Sequence, residues 1–329
     1  MPKPKVFVTR NIPHPALPLL KKHCQVRVNP KDTILSKKEL LKGVKWCDAL
    51  LCLLTDKVDK AVIDANPNLK VISNYAVGYN NIDVKYATEK GIPVCNTPSQ
   101  QVVDAVAEHA FTLLLGIAKR IHEDEEYVRK HKWKAWAPKL LLGIQVKGKT
   151  LGIVGLGRIG KGVAQRAQCM GLKIIYANRS KQPKFEKKFG AKKVSLTTLL
   201  KKSDFISLHV PLLPSTHHLI GKKELSMMKS TAYLINTSRG PVVNEKALIQ
   251  ALKKKKIAGA GLDVYESEPN VNPKLTALNN VILTPHTASA TIEVREQMSK
   301  DAANNILAIL KNKKAQKTVN PEVYSKRRF

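Results

Sequence analysis

The sequence is short of acid. Lys and Arg number 57 against 25 Asp and Glu, a net charge of +32. Such a balance suits nucleic-acid binding, but aromatic residues are scarce too, at 5%. The stacking side chains that hold single-stranded bases are therefore largely missing. The cationic excess is lysine, 46 residues against 11 arginines, spread along the whole chain. Its densest runs, "LKKKKIAG" (252–259) and "KQPKFEKKFGAKK" (181–193), fall where helix faces or loops would be solvated. We read the charge as a wetted surface able to gather anions and expect no specific nucleic-acid binding.

Cysteine is sparse and unpatterned: five residues, at 24, 47, 52, 95 and 169, with no CxxC spacing. That argues against a disulfide framework and a zinc or other metal site, and for reduced thiols in a cytoplasmic protein. No uncharged apolar run reaches about 18 residues, so no membrane span is expected. The first residues, "MPKPKVFVTRN", lack a signal-peptide core; "VFVT" is too short and reads as a strand. Solenoid repeats are absent. With 43% hydrophobic residues over 329 positions, the chain suits two ordinary domains.

What is present is alternation. Strand candidates "KVFVT" (5–9), "ALLCLL" (49–54), "LKVISNY" (69–75) and "IPVCN" (92–96) are separated by helix-like segments such as 36–44 and 80–90. Residues 97–130 read as one long helical stretch. A second series follows: 151–155, 173–177, 205–210, 231–236, 259–264 and 280–284, then a last helix over 291–314. Strands alternating with helices mean βα units and parallel sheets. The expected class is α/β, with two doubly wound parallel-sheet domains and a cleft between them. Residues 1–100 with 288–329 form the substrate domain. Residues 101–287 form a dinucleotide-binding Rossmann domain. The tail "YSKRRF" (324–329) reads as frayed.

The stretch "GLGRIG" (155–160) fits G-x-G-x-x-G and stands between an apolar strand and a helix. Gly155 allows the tight turn, Gly157 the approach of a pyrophosphate, and Gly160 close helix–strand packing. Arg158 and Ile159 begin the helix whose amides and dipole favour phosphate. The next strand ends in Asn178, Arg179 and Ser180. An NAD site wants an acid there for the ribose 2′-OH; a guanidinium and a hydroxyl suit a 2′-phosphate. NADP(H) is therefore the expected cofactor, with NAD(H) possible.

Three polar residues fall at later strand ends: Arg239 in "AYLINTSRGPVVNEKAL" (232–248), Glu268 in "DVYESEP" and His286 in "VILTPH". Taken singly, each could be a structural turn residue. Together, behind a dinucleotide fingerprint, they match what hydride transfer to a keto acid needs. Arg offers a bidentate fork to a carboxylate, His a proton near neutral pH, and a carboxylate favours the protonated ring and sets its tautomer. Gly240, after Arg239, reads as a turn too tight for another residue.

These motifs, with "NYAVGYNNID" (74–83), "HVPLLPSTHHLI" (209–220), "GAGLDVYESEP" (259–269) and "LTPHTASAT" (283–291), resemble the D-isomer-specific 2-hydroxyacid dehydrogenases over nearly the whole length. The stretch "WKAWAPKLLLG" (133–143) is most similar to the glyoxylate and hydroxypyruvate reductases. The resemblance implies that Arg239 binds the carboxylate and keto oxygen and that His286, paired with Glu268, is the acid/base. It implies carboxylate contacts from the Val77 and Gly78 amides. It implies that Val210, Pro211, Thr216, Thr237, Ser238 and Asp263 line the cofactor, Asp263 near the carboxamide. NAD-using members carry Asp where Asn178 stands. A homodimer through the crossover helix and the Trp133–Leu142 arm is implied as well. The expected activity is NADPH-preferring reduction of small 2-keto acids (glyoxylate, hydroxypyruvate) to D-2-hydroxy acids.

Two alternatives remain at this point. The same residues could serve another substrate: oxidation of phosphite, formate, D-lactate or D-3-phosphoglycerate, the last disfavoured because no added regulatory domain is present. Or the chain could be a dinucleotide-sensing binding protein of the corepressor kind, which can keep all three polar residues.

Overall fold

The computed structural model describes residues 2–325. The chain divides into two compact units, one running through Val102 and resuming at Thr291, the other Val103–Ala290.

In the first unit five strands, β1 (Lys5–Val8), β2 (Gln25–Val28), β3 (Ala49–Cys52), β4 (Val71–Asn74) and β5 (Val94–Cys95), pair in the order β2-β1-β3-β4-β5. Every pairing is parallel. β3 and β4 are buried along their whole length, which is why they read as unbroken apolar runs. β2 was not expected from the sequence. It is an edge strand in which Val26 and Val28 are only half-buried between exposed Gln25 and Arg27, so its apolar signal is two residues long. Helix starts are set by side-chain caps. Ser36 and Glu39 form a capping box for Lys37–Trp46, and Asp59 and Asp83 cap the two short helices that follow. The last helix, Ile292–Leu310, buries Val294, Met298, Ala302, Ile306 and Ile309 on one face. It belongs to the first unit: Ser73 Oγ donates to the Ala302 carbonyl (3.0 Å) and Tyr75 OH to that of Arg295 (2.8 Å).

The second unit has seven strands. They are β6 (Thr150–Val154), β7 (Lys173–Ala177), β8 (Lys192–Lys193), β9 (Phe205–Leu208), β10 (Tyr233–Asn236), β11 (Gly259–Leu262) and β12 (Val281–Leu283). Their order is β12-β11-β10-β9-β6-β7-β8, again all parallel. Strand order reverses between β6 and β9, and open α/β sheets bind ligands outside the carboxyl ends at such a point. Successive residues feed opposite faces. Leu234 and Val154 pack into one apolar cluster, Ile235 and Ile153 into the other. Each such side chain is worth about 1.5–3 kcal/mol when buried. β8, two lysines long, carries no apolar signal.

Two expectations change here. Residues 97–130 are not one helix. Gln100–Lys119 and Ile121–Arg129 are separated by Arg120 in the left-handed region (φ 59°). The returning chain causes the break: Ile144 N–H takes the Ala118 carbonyl (2.8 Å), so that oxygen is satisfied without another helical turn. The tail reading also fails where it can be judged. Tyr324 and Ser325 close a 3₁₀ turn, and Tyr324 OH bonds Thr318 Oγ1 (2.6 Å) and Ala315 N–H (2.9 Å); residues 326–329 lie outside the described residues. Gln100–Lys119 is the one helix, among the described residues, long and apolar enough to cross a membrane, and most of it is buried inside the protein.

Candidate active site

The glycine loop follows β6 at the switch point. Gly155 has φ +94°, and a Cβ there would lie 2.6 Å from the His209 carbonyl at the end of β9. Gly160 is closed off by the loop itself, where a Cβ would stand 2.3 Å from the Gly155 oxygen. Gly157 is different. It caps helix Arg158–Cys169 without a side-chain bond, and a Cβ there would meet nothing within 4 Å. Two glycines are thus required by the protein, while the third leaves open space at a helix start, where backbone amides await an anion. Arg158 is exposed; Ile159 packs on the core beneath.

At the tip of β7, Asn178 Nδ2 donates to the Ser180 carbonyl (3.3 Å) and Lys193 Nζ to that of Arg179 (3.0 Å). The Arg179 side chain is exposed, with no carboxylate partner among the described residues. After β9, Val210 packs on the core and crowds Gly155. Thr216 Oγ1 donates to the carbonyl of exposed Pro211 (2.6 Å), holding that loop. After β10, Ser238 donates twice to Asn236 Oδ1, through N (3.0 Å) and Oγ (2.7 Å), and Asn236 Nδ2 returns to the Arg239 carbonyl (3.0 Å). Asn236 therefore shapes the turn that presents Arg239, a role the sequence did not suggest. Thr237 Oγ1 is buried and has no hydrogen-bond partner among the described residues. The orphan hydroxyl and the open space at Gly157 both fit a dinucleotide laid along this edge.

Arg239 is partly buried, and burial pushes its guanidinium below the ordinary value while Glu268 counters. Its Nη1 donates to the Ser238 carbonyl (2.6 Å). Gly240 is not required by a tight turn of positive φ. A Cβ there would stand 1.9 Å from the Tyr265 backbone, so close chain approach demands the glycine. His286 Nδ1 and Glu268 Oε2 are 2.7 Å apart, each side chain 28% exposed. Glu268 Oε1 takes the Tyr265 amide (2.9 Å). Burial raises the Glu268 carboxyl, but His286, that amide and Arg239 outweigh it, leaving it below the usual carboxylate range.

Asp263 is fully buried at the end of β11. Its oxygens accept from Thr284 Oγ1 (2.7 Å), Thr287 N (2.8 Å) and Ala288 N (2.9 Å), and His109 Nε2 lies 3.5 Å away. Burial raises this carboxyl; His109, Thr284 and the two amides more than offset that and lower it. Asp263 thus clamps the turn on both sides of His286, which itself sits at φ 55°. His109, from helix Gln100–Lys119, also reaches Thr284 Oγ1 (3.0 Å). Another His–carboxylate pair, His218 Nε2 with Glu266 Oε1 (2.6 Å), was not expected from the sequence. In the first unit, Val77 and Gly78 lie three and four residues beyond the end of β4 at Asn74; Val77 is exposed and Gly78 half-buried.

Residues 111–288 match the model of the D-isomer specific 2-hydroxyacid dehydrogenase NAD binding domain. The chain is similar to a glyoxylate reductase of Thermococcus litoralis, 50% identical over 325 residues, 98% of each chain. Among solved structures it is similar to a glyoxylate reductase from Paecilomyes thermophila (TM-score 0.86, 36% identity, 98% of this chain and 99% of that one). It is also similar to an NADPH-dependent glyoxylate/hydroxypyruvate reductase from Sinorhizobium meliloti in complex with NADP and malonate (TM-score 0.84, 30% identity, 96% and 97%).

Proposed function

Since the chain belongs to the D-isomer-specific 2-hydroxyacid dehydrogenase family, we propose that it reduces glyoxylate and hydroxypyruvate to the D-2-hydroxy acids and prefers NADPH as the reductant. The observation that carries the reading is the trio at the carboxyl edge of the second sheet: a partly buried Arg239 beside a His286–Glu268 pair. Its relatives named as glyoxylate reductases support the choice of substrate.

A nicotinamide dinucleotide, when bound, supplies the hydride to the carbonyl carbon. Gly155, Gly157, Gly160 and the start of the helix at Arg158 and Ile159 would hold its pyrophosphate. Val210, Pro211, Thr216, Thr237 and Ser238 would line it. Arg239 offers two parallel N–H groups to the substrate carboxylate and keto oxygen. The amides of Val77 and Gly78 are further donors to that carboxylate. His286 gives the proton from Nε2 to the oxygen as negative charge develops there, and Glu268 holds the ring with Nδ1–H facing it. Asp263 keeps the His286 turn in place.

The cofactor preference rests on Asn178, Arg179 and Ser180, none of them an acid that could take a ribose 2′-OH, and on the exposed Arg179 guanidinium, which has no carboxylate partner among the described residues. Steady-state rates with glyoxylate, hydroxypyruvate and pyruvate, each with NADPH and NADH, test the reading. The expected result is NADPH-dependent turnover of the first two. Arg179→Ala should weaken NADPH about ten- to a hundredfold, the worth of one charge-assisted bond, and leave NADH nearly unchanged. Equal use of both reductants by the parent sinks the preference. No turnover of any keto acid sinks the activity and favours a sensing role.

We also assign a homodimer to the arm 133–142. Trp133 and Trp136 are 58% and 81% exposed, an apolar display that a second copy of this chain would cover. A monomer in sedimentation at micromolar concentration refutes it.

A further inference from the structure

Beyond β4 the first unit holds three successive backbone carbonyls that are all taken. The Ala76 oxygen accepts from Thr97 N (2.9 Å), that of Val77 from Asn96 Nδ2 (2.7 Å) and that of Gly78 from Asn74 Nδ2 (2.8 Å). These peptide bonds are trans. A trans peptide is planar, with its carbonyl and the following amide pointing opposite ways. Tying down three oxygens therefore aims the N–H groups of Val77, Gly78 and Tyr79 in the other direction. None of those amides has an acceptor among the described residues. Val77 and Tyr79 are exposed and Gly78 half-buried, so an outside ligand can reach them. Successive unpaired amides of this kind bind anions.

The groups that do the aiming are themselves held. Asn74 is buried and exchanges bonds with Asn81 (3.1 and 3.3 Å), whose Nδ2 also reaches the Leu53 and Asp56 carbonyls. Asn96 is fixed through its backbone. Its N–H donates to the Lys317 carbonyl (3.1 Å), and its carbonyl accepts from Asn305 Nδ2 (3.1 Å), a buried residue of helix Ile292–Leu310. Among the described residues the Asn96 carboxamide makes one bond, to the Val77 oxygen at the protein surface. A bond so open to water contributes little to stability, on the order of 1 kcal/mol or less. Its directional effect is larger, because the plane it holds ends in the Gly78 amide.

We infer that Asn96 is a positioning residue: its carboxamide turns the 77–78 peptide so that Gly78 N–H faces the carboxylate of the bound keto acid. The inference rests on the keto-acid reductase reading and adds to it a named side chain outside the ionic trio. It also makes the Tyr79 amide, aimed by Asn74, a third donor to the same anion.

The test uses the full chain with saturating NADPH. Asn96→Ala should raise KM for glyoxylate about tenfold, the lower end of what a bond to a charged group is worth. It should change kcat less than about threefold and leave kcat/KM for glyoxal, an uncharged dialdehyde, as in the parent. Asn96→Gln, which can still reach the Val77 oxygen, should recover most of the KM. If Asn96→Ala does not fold, Asn96→Ser, too short for that oxygen, is measured in the same way. A KM within twofold of the parent, or glyoxal turnover falling in step with glyoxylate, overturns the inference. Calorimetric titration with oxalate separates it from the activity itself. A parent that binds oxalate but reduces no keto acid refutes the proposed activity; about tenfold weaker oxalate binding by the variant then still supports the positioning role. A parent that binds no oxalate overturns the role.

Discussion

Besides His109 and Asp263, the second unit contains two His–carboxylate pairs that look nearly alike. His286–Glu268 and His218–Glu266 have contact distances of 2.7 and 2.6 Å. Side-chain exposures are 28% and 28% in the first, 36% and 29% in the second. Both histidines even share a left-handed backbone, at φ 55° and 51°. They differ in the other ring nitrogen. His218 Nδ1 accepts from Asn244 Nδ2 (3.3 Å), so Nε2 carries the proton and gives it to Glu266. Glu266 is in turn bonded to the start of helix Glu245–Lys253 through the Glu245 amide (3.3 Å). That ring is fully satisfied and ties loop 211–220 to its neighbours. His286 uses only Nδ1, and Nε2 has no partner among the described residues. A nearby carboxylate is common to both pairs; what distinguishes His286 is a ring nitrogen without a partner among the described residues.

The largest test of that contrast is rate. His286→Ala should slow glyoxylate reduction about a hundred- to ten-thousandfold, the usual worth of a positioned acid. His218→Ala should leave kcat/KM within about threefold of the parent, because a satisfied ring has no proton to spare. Comparable losses in both variants would erase the distinction.

A smaller effect lies in the two carboxylates. Glu268→Gln should slow glyoxylate reduction about tenfold, because an uncharged partner holds the ring of the acid less firmly. Glu266→Gln should change the rate less than about threefold. An unchanged rate in the Glu268 variant would remove its role. The Glu268 carboxyl is lowered in the folded chain, so its contribution to stability is present above the ordinary carboxylate value and is lost as pH falls through the lowered folded value.

The smallest effect reverses the order of the two pairs. In thermal or urea unfolding, His218→Ala should cost about 1 kcal/mol, because Asn244 and Glu266 each lose a partner. His286→Ala should cost less, since only Glu268 is left unpaired and it keeps the Tyr265 amide. Equal losses would mean that His286 is as structural as His218.

Much of the fold is legible in the sequence. β3, β4, β6, β9, β10 and β11, buried along nearly all their length, could be read from their mainly apolar runs. So could β7 and β12, although only part of each is buried. β2 and β8 were not legible, because the two valines of β2 alternate with exposed Gln25 and Arg27 and β8 is only two lysines long. The break at Arg120 was hidden for another reason: nothing local to residues 97–130 announces that the chain at Ile144 will return to take the Ala118 carbonyl. In the site, the glycine spacing of 155–160 and the residues Arg239, Glu268 and His286 were visible as types at strand ends. Asp263 as the clamp of the His286 turn, and Asn236 as the shaper of the Arg239 turn, were not.

The division has a physical basis. Hydrophobic period, glycine spacing and residue type are local properties of the chain, and they determined the two parallel sheets, the dinucleotide loop and the candidate ionic trio. Whether a polar atom is satisfied depends on partners that can be far away in sequence. Residue 305 reaches residue 96, and residue 109 reaches residue 263. Only the tertiary structure could decide that His286 keeps a free nitrogen while His218 does not, or that Gly240 answers to the Tyr265 backbone rather than to a turn. It alone could also decide that a surface asparagine aims the amides after β4, because each of these is set by atoms that meet only once the chain is folded.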